Sequence, residues 1–276
     1  MSAPDLRIAQ AVVVADARGA RVVARSDGFD DAEAERIVVL FGSRPAGVAC
    51  PLAHFACPFG RSSVAVVRVA DRPDGGLGFR FLVLACDLYR HLGDPFAIAD
   101  RYPPDGSETG PLPGLTWPRE VLPRRTVEGL QRVMNTPDLA LLLGGAQALV
   151  DGGRVLVERP TPDETLLRAI WQLLPNRDRA ERWPASFAFA DDLGFHAAAL
   201  PILPPDPTRT RHTEEGLRDY PQASYELSLQ IAVEAGDQRE LDRLFARRTS
   251  NETLRLGLAI IGGAVLLAVV AKFLLP

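Results

Sequence analysis

Residues 62–89 read SSVAVVRVADRPDGGLGFRFLVLACDLY, and this stretch sets the fold class. Two apolar runs rich in β-branched and aromatic residues, SSVAVVRVADR and FRFLVLACDLY, flank the turn RPDGGLG. Asp74-Gly75-Gly76 supplies the conformational freedom that a tight reversal needs. The pattern predicts two antiparallel strands lying side by side in a sheet.

Upstream, IAQAVVVADARGARVVARSDGF (8–29) reads as a hairpin closed by ADARGA. DDAEAERIVVLFG (30–42) has helical spacing, acids in its first turn and Gly42 just past its end. The next stretch, SRPAGVACPLAHFACPFG (43–60), is broken by Pro and Gly and reads as a loop.

Downstream, residues 100–126 are Pro-rich and read as a surface connector rather than a polyproline ligand. An alternation of helices and strands follows. RTVEGLQRVMN, PDLALLLGGAQALV and PDETLLRAIWQLLP are predicted helices. GGRVLVER, SFAFA and FHAAAL are predicted strands, so the second half suggests βα units packed on a sheet. PILPPDPTRTRHTEEG (201–216) reads as a linker. ASYELSLQIAVEAGDQRELDRLFARR (223–248) reads as one helix broken at Gly236, although Tyr225, Leu227, Leu229, Ile231 and Val233 alternate as a strand would.

The last part, LRLGLAIIGGAVLLAVVAKFLLP, carries only Arg255 and Lys272 as charges. As a helix, 254–275 would extend roughly 33 Å, against a hydrocarbon thickness of about 30 Å. It is apolar on every face, unlike the one-sided stripe of a helix on a globular surface. A transmembrane helix is therefore expected, with its ends snorkelling at the two interfaces. Gly257, Gly262 and Gly263 suit a bilayer span, and the pairs Ala259/Gly263 and Ala264/Ala268 would allow a homodimer through close helix approach. Arg243, Arg247, Arg248 and Arg255 precede the span, so the positive-inside bias puts the N-terminal body in the cytoplasm. On that side the sequon Asn251-Glu252-Thr253 would meet no glycosylation machinery. The opening residues lack the pattern of a signal peptide.

The expected organisation is an α/β (α+β) soluble body followed by a single C-terminal transmembrane helix. Residues 1–99 form an N-terminal subdomain with hairpins, 100–126 a connector and 127–205 a second α/β subdomain. Residues 206–253 form a linker and juxtamembrane helix, and 254–275 the membrane helix. The 276-residue chain has a net charge of -4, which gives no footing for a nucleic-acid partner. Three cysteines make no disulfide framework.

No catalytic, cofactor-binding or metal-binding residue is assigned. CPLAHFAC brings Cys50, His54 and Cys57 close in sequence, but zinc wants four ligands, and Cys86 lies in a predicted apolar strand. A Cys–His nucleophile pair using His54, His91, His196 or His212 lacks any surrounding signature. Asp191-Asp192 reads as a turn between two strands. Gly144-Gly145 and Gly152-Gly153 are not phosphate loops. Trp117, Trp171 and Trp183 read as core anchors.

Two stretches together, FRFLVLACDLYRHLGDPFAIADRYPP and LLRAIWQLLPNRDRAERWPASFAFADDLG, resemble the bacterial GTPase-associated proteins of predicted GTPase-centred conflict systems. The likeness runs over about residues 8 to 200 and lies in order and texture. Members often carry a His in the strand occupied here by FRFLVLA, so no site built on it carries over. The resemblance implies an adaptor or regulatory component acting beside a GTPase. Together with the apolar tail it gives the expected function, a membrane-tethered adaptor. The alternative is a membrane-anchored hydrolase, which would need Cys57, His54 and Asp191 or Asp192 to converge in one cleft. Expected contact surfaces are the connector and the Arg-rich helix at 237–248.

Overall fold

The structure, a computed structural model, describes residues 6–103, 109–118, 120, 122–203, 211–221 and 223–246. Eleven strands among these residues form one sheet. The hairpin pairs β1 (Arg7–Asp16) with β2 (Gly19–Arg25). Helix α1 (Asp31–Leu40) follows, capped by the Asp30 carboxylate accepting from the Glu33 backbone N–H at 3.1 Å.

The quoted stretch forms β4 (Ser63–Asp71) and β5 (Leu77–Ala85), antiparallel neighbours as expected. Their unbroken apolar character has a structural cause: both faces are covered. Val64, Val66, Leu82 and Leu84 enter one core, while Ala65, Val67, Val69, Phe79 and Phe81 enter the other.

The predicted loop at 43–60 is corrected. Ala53–Phe59 is strand β3, paired along its length with β4 and buried except at Pro58. Pro51 precedes the strand and Pro58 sits next to its last residue, so neither interrupts its middle. The strand predicted at FRFLVLACDLY ends at Ala85. Cys86 instead opens helix α2 (Cys86–Leu92), and α3 (Pro95–Arg101) follows behind the Asp94 cap.

The connector is fastened to the sheet. β6 (Gly110–Pro111) adds to β2, and β7 (Leu115–Thr116) adds to the start of β1. Next come α4 (Val127–Met134), α5 (Leu139–Val150), β8 (Arg154–Glu158) and α6 (Glu164–Leu173), all anticipated by periodicity. Two short elements, α7 (Asn176–Glu181) and β9 (Pro184–Ala185), were not anticipated. The strand expected at SFAFA lies one step early, at β9. Residues 186–190 are irregular, and β10 (Ala197–Leu200) occupies part of FHAAAL.

Within the expected linker lie β11 (Arg211–His212) and α8 (Glu214–Arg218). The broken helix is α9 (Ser224–Glu234) and α10 (Gln238–Phe245). Gly236 adopts φ 70° between them, and the Asp237 carboxylate caps α10. Helix beats the alternating reading because Tyr225, Leu229, Ala232 and Val233 are the buried set, which is a 3.6-residue period.

The strand order is β11-β8-β10-β9-β3-β4-β5-β1-β2-β6, with β7 also on β1. From β9 to β1 every pairing is antiparallel, and from β11 to β9 every pairing is parallel. The two regimes meet where Phe55 faces Ala185. Among the described residues no helix is long and apolar enough to cross a membrane. The expected span, 254–275, lies outside them.

Candidate functional site

The ends of α2, α6 and α7 converge with the close of the connector, α4 and α10 around a cleft of about 630 Å³. Six arginines among the described residues line it: Arg90, Arg124, Arg125, Arg132, Arg168 and Arg179. Among the described residues only two carboxylates, Asp94 and Asp242, line it with them. The chain as a whole is acidic, so this concentration of positive charge is local.

Four of the arginines are engaged by carboxylates. Arg179 is buried, ion-paired to Asp94, and donates from Nε to the Gly93 carbonyl at 3.0 Å. The Trp171 indole donates to the same carbonyl at 3.0 Å, which fixes the cleft floor. Arg124 is paired with Asp242 of α10. Arg168 donates to both Asp100 oxygens at 2.8 Å and pairs with Glu164. Arg90 meets Asp87 at 3.2 Å on the exposed rim.

Arg125 is held differently. Its Nη1 donates to the carbonyls of Gln172 and Leu174 at 2.7 and 2.6 Å, and Nη2 donates to Asn176 Oδ1 at 2.5 Å. These acceptors sit where α6 ends, so unpaired helix carbonyls receive the cation. Its guanidinium carbon stands 3.4 Å from the centroid of the Phe245 ring. Burial, then the neighbouring Arg179 charge, pull its pKa below the ordinary guanidinium value. Arg132, exposed on α4, makes among the described residues only a hydrogen bond to the Glu128 carbonyl at 3.3 Å.

A polar chain runs from buried His54 to the exposed wall of the same cleft. His54 Nδ1 lies 2.7 Å from Glu164 Oε2. Glu164 is drawn down to about 2, first by its hydrogen bond to His54 and then, against the cost of burial, by the charges of His54 and Arg168. An ionised carboxylate only accepts, so the imidazole donates from Nδ1. The His54–Glu164–Arg168–Asp100 chain thus links the start of β3 to the cleft wall.

Apart from His91 at its rim and Trp171 beneath its floor, the other residues singled out in the sequence lie away from the cleft. Cys50 and Cys57 are fully buried. Burial pushes the Cys50 thiol up to about 12, and Cys57 is also raised, mainly by burial. Phe55, Cys57 and Phe59 pack into one core while Ala56 packs into the other, so strand alternation turns Cys57 away from the face of its neighbour. Cys86 is half-buried beside a second groove, of about 1060 Å³.

Asp191 is ion-paired with Arg154, and its carbonyl accepts from Gly194 in a turn. Asp192 is exposed. His196 accepts at Nδ1 from the Trp183 backbone N–H, and His212 packs edge-on against Tyr220. His91 is exposed at the cleft rim. Among the described residues no group of three or more His, Cys, Asp or Glu side chains could hold a metal ion. Trp117 and Trp171 are buried, and Trp183 packs on Tyr89 with centroids 5.5 Å apart.

The Arg-rich helix contributes to the cleft through its acid and its aromatic, Asp242 and Phe245. Its Arg243 faces out, paired with Glu240 at 2.6 Å. Sequence reasoning passed over the cleft arginines. The signal available was Arg124-Arg125 closing a Pro-rich run, just ahead of a helix cap. In comparisons with family models, curated proteins and solved structures, the chain matches none.

Proposed function

We propose that this chain is a membrane-tethered adaptor or regulatory protein, with a cytoplasmic body that recognises an anionic group in its arginine cleft. The observation that carries this reading is the cleft itself, where among the described residues six arginines face two carboxylates and half-buried Arg125 has no carboxylate of its own. A half-buried cation held by neutral acceptors and no carboxylate is costly, and sites that keep one are enriched in function. The cleft wall includes α10, the last described helix before the apolar run at 254–275. Recognition and tether therefore adjoin in the chain. Tethering raises the local concentration of membrane partners, so a modest interface suffices. The resemblance noted above makes a GTPase the first partner to test.

A membrane-anchored hydrolase is the second reading, favoured by one observation. The His54 imidazole is oriented by Glu164 as a general base would be. The raised thiols of Cys50 and Cys57 weigh against a cysteine nucleophile.

The test compares the full-length chain with one ending at Arg248, by membrane fractionation with a carbonate wash, in wild type and Arg132→Glu. Full-length protein should stay with membranes and the truncated chain should not. Arg132→Glu should abolish partner retention while leaving membrane attachment intact. Carbonate-extractable full-length protein sinks the tether. Partner retention that ignores Arg132→Glu sinks the role of the cleft.

A further inference from the structure

We propose that the cleft binds a small molecule through its phosphate group, with Arg125 and Arg132 as the cationic ligands. The proposal rests on the anion-recognition reading above and specifies its chemistry. Arg90, Arg124, Arg168 and Arg179 already hold carboxylates of the chain. Arg125 and Arg132 line the same cleft and hold none among the described residues. The chain thus leaves two positive charges for one ligand.

A carboxylate brings one negative charge and two oxygens. A phosphomonoester brings nearly two charges and three acceptor oxygens, enough to bridge two guanidiniums. Arg125 is organised in advance for this. Three hydrogen bonds and the Phe245 ring fix its plane, and no described acceptor occupies Nε. A guanidinium already fixed loses little rotamer freedom when a ligand arrives. The volume, about 630 Å³, falls in the range of small-molecule sites. Leu122, Leu130 and Phe245 give the rest of the ligand an apolar wall.

The experiment is calorimetric titration of the full-length chain with inorganic phosphate, with acetate, and with a short glutamate peptide. Phosphate should bind with one-to-one saturation, at least about tenfold tighter than acetate, as expected when a second charge-assisted contact is added. Arg132→Gln, on an exposed position that does not support the fold, should weaken phosphate about tenfold or more. Arg125→Lys keeps the charge and loses the planar fork, and should weaken it similarly, with an unfolding midpoint recorded alongside.

Phosphate binding equal to acetate, or unchanged in Arg132→Gln, overturns the proposal. If the glutamate peptide binds in an Arg132-dependent way and phosphate does not, the phosphate assignment falls and anion recognition stands. If no probe binds, both fall.

Discussion

The guanidinium carbon of Arg125 sits 3.4 Å from the centroid of the Phe245 ring, joining the end of the connector to the last turn of α10. Phe245 is buried, so the ring both fills the core and supports a cation. Phe245→Ala should cost about 3 kcal/mol or more, the loss of a large buried side chain plus the stacked cation. Phe245→Leu restores most of the volume without the ring face, and should recover over half of that loss. Urea unfolding of the three proteins checks this. Equal losses for Ala and Leu would show that the ring face matters and the volume does not.

Two adjacent glycines in α5 should respond differently to an added methyl group. A Cβ on Gly144 would stand 2.0 Å from the Leu217 carbonyl oxygen, which belongs to the backbone of α8 and cannot swing aside. Gly144→Ala should destabilise by about 1–3 kcal/mol. At Gly145 the nearest atom is Ile170 Cδ1 at 3.2 Å, the far end of a side chain that can yield. Gly145→Ala should be neutral or stabilising by up to about 1 kcal/mol, the helix preference for Ala over Gly. Thermal midpoints decide, and a stabilising Gly144→Ala would disprove the close approach of α5 and α8.

His196 makes stability depend on pH. Burial, then Arg182 and Arg154, lower its pKa to about 4 from 6.5. Between these values the unfolded chain binds a proton that the folded chain does not. Stability therefore falls as pH drops from 6.5 towards 4. The difference amounts to about 2 kcal/mol once partial exposure is allowed for. His196→Gln should flatten that part of the curve. Glu164 acts in a lower window. Its carboxyl is drawn from 4.5 to about 2, so its contribution is present above 4.5 and lost as pH falls towards 2. Denaturant midpoints at half-unit pH steps separate the two windows.

The thiols give a direct check on the corrected β3. Cys50 and Cys57 are fully buried with raised pKa values, whereas Cys86 is half-buried. A thiol reagent at pH 8 should modify the folded chain once, at Cys86, and the chain in urea three times. Cys86→Ser should abolish the native modification. Fast native labelling of Cys57 would mean that β3 does not occupy the sheet interior.

Much of the fold was legible because local chemistry and tertiary packing agree. The hairpin of β1 and β2, the pair β4 and β5, the cap of α1 and the break at Gly236 each carry their own turn or cap residues. β3 was not legible, because Pro51 and Pro58 frame it and its seven residues become a strand only by pairing with β4. SFAFA failed for the opposite reason. Its alternation is right for a strand, but the backbone bonds outward to Phe41 and Ala199 instead of joining a ladder. The cleft was illegible because its arginines span Arg90 to Arg179 and their pairing depends on the fold. Which arginine lacks a carboxylate is invisible until Asp94, Asp100 and Asp242 have been placed.

Gln238 of α10 donates to the Arg125 carbonyl at 3.2 Å and accepts from the Val127 backbone N–H at 2.9 Å, while Asp242 one turn later pairs with Arg124. These bonds act in parallel along one short helix, so a load applied at Ala246 along the helix axis is shared by them. Such a clasp resists pulling along its length and yields to peeling from one end. Tension from the C-terminal side would therefore reach the arginine cleft before any strand of the sheet was disturbed.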